Sequence, residues 1–188
     1  MIEKNGYVKK LAILFFVGVF IGIIVSFVMQ NYYKDSYYTY FGGAAKQLIS
    51  GKIHYGFLFF KTIKRVLIPY LFILVLSMSP AYLPYCFVYM IYIGTRVGYF
   101  MGSLFMTYQI RGFLYGILYG MPQILIYTPA MLMLMYLGYQ ENENLQKKKS
   151  LPEKLVPLFM ILVLVLVGAS LETFVNSFIM RKTIFLVS

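Results

Sequence analysis

Two ionisable side chains, Glu172 and Arg96, sit well inside long uncharged runs of this sequence, and they are the first place to look for chemistry. A charge held in hydrocarbon is costly enough to need a partner or a task, so a pair between Glu172 and Arg96 is the natural expectation. Gly168 and Asn176 stand four positions to either side of Glu172, which puts a small residue, an acid and an amide on one helical face. Two readings of that face stay open: a proton- or ligand-sensitive site, or polar glue between helices. Acid–base catalysis by paired carboxylates would need a second acid in an apolar run, and the sequence has none.

Other chemistry finds little material. His54 is the only histidine and falls in a basic connector, while Cys86 is the only cysteine, so neither an intrachain disulfide nor a metal-ligand spacing can be assembled. The sequence lacks a G-x-S-x-G nucleophile turn and a GxxxxGK[ST] phosphate loop. The expectation is a protein that is not an enzyme, with no cofactor and no metal. Any ATPase that energised it would be a separate subunit.

The elements that must position Glu172 and Arg96 are set by composition. Apolar and aromatic residues make up 61% of the chain and charged residues 12%, against roughly 45–50% and about 25% in soluble domains. A core built from 188 residues could not hide that excess, so lipid must solvate the remainder. The formal charge of +11 lies beside apolar runs, where it meets headgroups, and nucleic acid is not an expected partner. The pattern predicts an all-α integral membrane helix bundle, a single domain over 1–188. It has about five transmembrane helices, near 11–30, 57–79, 84–108, 112–138 and 154–179, with an interfacial amphipathic helix in the connector 31–56.

The first span is charge-free from Leu11 to Tyr33 and follows Lys4, Lys9 and Lys10 without a small-residue cleavage site, so it reads as an uncleaved helix. Gly18 and Gly22 form a GxxxG pair, read either as a close-packing face or as filler. The connector opens with Tyr32, Tyr33, Tyr37, Tyr38, Tyr40 and Phe41, aromatic residues that favour the headgroup layer. Beyond Gly42 and Gly43, Ala44, Ala45, Leu48 and Ile49 recur at helical spacing among Lys46 and Lys52; this is an interfacial helix or, alternatively, a solvated loop.

The second helix should start near Gly56, with Lys61, Lys64 and Arg65 snorkelling to headgroups, and end at the Ser79-Pro80 and Leu83-Pro84 breaks. Gly94, Gly98 and Gly102 give the third helix a small-residue stripe. In the fourth, Pro122 and Pro129 fall seven apart, next to Gln123; this predicts a bent or broken helix whose proline face lies inside the bundle. A polar loop follows, Ser150 to Glu153 reads as a capping box, and the last helix runs to Arg181 and Lys182. The expected place is a bacterial cell membrane, crossed several times, with a cytoplasmic N-terminus.

This order of features resembles the stage II sporulation protein M family over nearly the whole chain. The resemblance is carried by the polar connector, Leu83-Pro84, the Gly94, Gly98 and Gly102 stripe, Gly112-Phe113 leading to Pro122-Gln123 and Pro129, and the ending Leu171-Glu172-Thr-Phe-Val-Asn176. The family's last helix usually has a Glu-Ala-Tyr-like segment followed by proline; here Glu172-Thr173-Phe174 and Ser177 stand in those places. The resemblance implies a noncatalytic membrane component that, in endospore formers, assembles with peptidoglycan-degrading partners and localises them at the septum for engulfment. Related proteins sit beside peptide exporters, including those of circular bacteriocins. The two expectations are therefore a scaffold partnered with a cell-wall hydrolase complex, and a subunit of an ABC-type export, maturation or immunity system in which the Pro122 to Pro129 break lines the substrate path.

Overall fold

A computed structural model describes the backbone of residues 4–50, 54–143 and 151–178, and the side chains of these except 4–5, 30–50, 121–123, 142–143 and 151–155. The described residues are almost all helical, with no strand. Helix α1 is Lys4–Ser50, α2 is Tyr55–Leu76, α3 is Tyr82–Glu143 and α4 is Leu151–Leu171, which continues into a π-helical turn at Glu172–Asn176. Two helices, Gly6–Met29 and Val156–Asn176, are long and apolar enough on their own to cross a membrane, and the segments Tyr82–Gly120 and Ile124–Glu141 pass that test together.

Polarity is inverted relative to a soluble protein. Ile13, Phe16, Phe20, Ile24 and Phe27 of α1 and Phe159, Met160 and Val163 of α4 face outward, whereas Ser26, Ser103, Thr107, Glu172, Thr173 and Asn176 are buried. Outward apolar surface on this scale is stable only against lipid. The inward hydroxyls are satisfied by their own helices, as where Thr107 donates to the Ser103 carbonyl at 2.7 Å.

Helix α3 is two rods. Gln109 adopts φ 54° and ψ −137°, and the chain turns back there. The second arm, 110–143, runs antiparallel to the first, 82–108. Gly112 abuts the Leu104 carbonyl near the turn, while at the far end the Tyr82 hydroxyl donates to the Met135 carbonyl and its ring covers Gly138. The prolines bound the first arm as anticipated from their chemistry: α2 stops at Leu76, residues 77–81 turn, and Pro84 sits in the first turn of the next helix, where a missing N–H costs nothing.

The first arm lies parallel to α1 at backbone contact. A Cβ on Gly18 or Gly22 would strike the Ile91 or Thr95 carbonyl, and one on Gly94 or Gly98 would strike the Phe15 or Val19 carbonyl. A Cβ on Gly102 would strike the Ser26 hydroxyl. The two glycine series therefore interlock with each other, the contact that small residues permit where no hydrophobic drive separates helix from lipid. At one end of the bundle Tyr7 stacks on Tyr139 with ring centroids 4.5 Å apart, beside buried Tyr82 and Cys86. At the other end Tyr55 stacks on Phe174 at 5.6 Å. The rods thus alternate in direction from α2 onward, with α1 and the first arm of α3 pointing the same way.

Residues 31–50 are helical within α1, Lys4–Ser50. One sequence expectation changes here. Pro129 does not face the bundle interior. It is exposed, and the buried stripe of that arm is Ala130, Met131, Leu134, Met135, Gly138 and Tyr139. The side chains of Pro122 and Gln123 and the Ser150 to Glu153 cap lie outside the described side chains, and Arg181 and Lys182 lie outside the described residues.

Candidate functional site

Glu172 opens the π turn near the end of α4 and is almost fully buried. Its carboxylate is held from two other helices. Arg65 of α2 donates to Oε1, and the Tyr127 hydroxyl of the second α3 arm donates to Oε2 at 3.1 Å. Tyr70 of α2 in turn donates its hydroxyl to the Tyr127 carbonyl at 3.0 Å. One acid thereby ties α2, α3 and α4 together where each would otherwise present a lone polar group to hydrocarbon.

Local sequence explains how these atoms meet. Gly168, one turn before Glu172, lies against the Tyr127 ring, and a Cβ there would come within 2.6 Å of Tyr127 Cε1. The tyrosine can therefore lie flat on α4 and extend its hydroxyl to the acid. The wider π turn loosens α4's normal bonding, and serine and threonine hydroxyls compensate: Thr173 donates to the Ala169 carbonyl at 2.8 Å and Ser177 to the Thr173 carbonyl at 2.7 Å. On α2, Pro69 lacks the N–H that would bond the Arg65 carbonyl, which relaxes the helix at the level of Arg65.

Arg96 is not the partner of Glu172, as the sequence had led one to expect; the half-exposed Arg65 is. Arg96 stands across from Arg65 with its guanidinium 5.8 Å from the Tyr92 ring centroid, and it has no carboxylate partner among the described residues. Both arginines line one open cavity of about 540 Å³ between α2 and the two arms of α3, walled by Tyr89, Phe100, Met131 and Tyr127. Asn176 is buried on the same α4 face as Glu172, with neither amide atom bonded to a described residue.

The remaining candidates separate by place. Gly18, Gly22, Gly94, Gly98 and Gly102 form the α1–α3 contact, remote from Glu172; Pro129 faces outward; Cys86 is buried at the end of the bundle marked by Tyr7. Sequence reasoning missed Arg65, Tyr127 and Tyr70. The available signals were Gly168, which implies a bulky neighbour, and Pro69 four residues after Arg65. Among the described residues no group of His, Cys, Asp and Glu could hold a metal ion.

Outward apolar helices, inward hydroxyls and an acid tied between helices define a helical membrane protein. The family model described as Stage II sporulation protein M matches residues 11–177, and the chain belongs to that family of sporulation-related membrane proteins. No curated protein and no solved structure matches the chain.

Proposed function

We propose that this protein is a noncatalytic membrane scaffold that assembles with cell-wall hydrolases or their membrane anchors and holds them at the septum during engulfment. The observation that carries this reading is the family match over residues 11–177. The engagement of Glu172 by Arg65 and Tyr127 supports it, because the one buried acid among the described residues joins helices. The interlocked glycines are already occupied by α1 and α3, so partners meet other surfaces.

In this reading all five rods cross the membrane, with the N-terminus in the cytoplasm. The tyrosine-rich stretch 31–50 of α1 then stands on the far side, toward the wall. Mild crosslinking in native membranes during spore formation, followed by purification of this chain, should recover a wall hydrolase or its anchor. Recovery of an ATPase with a small exported peptide, or of the chain consistently alone, would overturn the scaffold reading.

A further inference from the structure

The cavity between α2 and α3 holds more positive charge than the described side chains compensate. Arg65 of α2 and Arg96 of α3 both line it, and Glu172, the acid at its edge, is bonded to Arg65. Among the described side chains no acid pairs with Arg96. Of the six acidic residues, Glu3, Glu141, Glu143 and Glu153 lie outside the apolar runs. Asp35 lies on α1 about 20 Å beyond Gly22, the residue that packs beside Thr95. Arg96, exposed in the cavity beside the Tyr92 ring and near Tyr89 with no carboxylate among the described side chains, is left short of its counter-charge.

Depth selects the source of that counter-charge. Arg96 lies midway between Tyr82 and the turn at Gln109, about 20 Å from either. A hydrocarbon core is about 30 Å thick, so a lipid phosphate would have to leave the headgroup layer to reach this level. A carboxylate carried on a crossing helix is delivered at any depth without that cost. We infer that the cavity is the docking site for a transmembrane helix of a partner protein that carries one Asp or Glu near the middle of its span, with Arg96 as the recognising cation. The inference rests on the scaffold reading and names the chemistry of its partner.

The test uses the full chain in phosphatidylcholine bilayers and a fluorescent single-span probe peptide of leucine and alanine with one central Asp. Energy transfer should show the Asp peptide binding at least tenfold tighter than the same peptide with central Leu. Moving the Asp two turns toward either end should remove the preference, as should Arg96→Gln, with the thermal melt of the variant unchanged. Equal binding of both peptides, or a preference that survives Arg96→Gln, would overturn the inference. So would spin-labelled phosphatidylglycerol immobilised by the wild type but not by Arg96→Gln, if the Asp peptide shows no preference. A missing peptide preference alongside a wall partner recovered from native membranes sinks the cavity inference alone. A clear peptide preference with no native partner sinks the scaffold reading and leaves the site chemistry standing.

Discussion

Glu172 is the most informative residue of the chain because three helices meet at its carboxylate. Removing its charge leaves Arg65 without its partner in an apolar wall, and Arg65→Gln leaves the buried acid worse off. Breaking a buried pair costs about 3–5 kcal/mol, but the Arg65 side chain is 53% exposed. A loss of about 1–2 kcal/mol is the better expectation for Glu172→Gln, once screening is allowed for. Thermal melts in detergent should show Glu172→Gln and Arg65→Gln each lowering the midpoint, with the double variant losing less than the sum. Tyr127→Phe, which removes one hydroxyl bond, should cost about 1 kcal/mol in the same assay. A fully additive double variant would mean that the contact contributes nothing. Glu172 itself was legible from sequence, since a lone acid in an apolar run announces itself. Its partner was not, because Arg65 follows Lys61 and Lys64 and looks like one more headgroup anchor; only tertiary packing distinguishes the cation that reaches Glu172.

The α1–α3 contact and the α3 hairpin govern the helices as elements. Close backbone approach at Gly98 leaves no room for a side chain, so Gly98→Leu should force the helices apart and lower stability by on the order of 3 kcal/mol. Gly56→Leu is the control, since a Cβ there meets nothing within 4 Å, and its melt should stay near that of the wild type. Gln109 occupies a backbone region suited to glycine, so Gln109→Gly should raise the melting midpoint, by about 1 kcal/mol of stability. Proline chemistry made the break after α2 readable, and the glycine spacings marked two packing faces. That the faces meet each other is not in either pattern, because GxxxG specifies close approach and not the partner. The expected spans 84–108 and 112–138 leave the turn at 109–111, where Gln109 lies, but no sequence rule assigns Gln109 its unusual backbone. Pro129 was read inward on the premise that a freed carbonyl must be buried; the ring instead faces out while the alternate face packs.

At the scale of the whole molecule, the membrane character was legible from composition alone. The family followed from the order of punctuating residues, which the match over residues 11–177 shows directly. The scaffold reading and the partner helix both depend on one geometrical claim, that the two arms of α3 cross the bilayer in opposite directions and hold Arg96 at mid-depth. Cysteine labelling with a membrane-impermeant maleimide tests it, because native Cys86 is fully buried. Met78, in the turn before α3, is 80% exposed and lies at the same end of the bundle as the start of α1. Met78→Cys should therefore label from the side on which the N-terminus lies, and Gln109→Cys only from the opposite side. Labelling of both from one side would make α3 a re-entrant hairpin, lift Arg96 away from mid-depth and contradict the account.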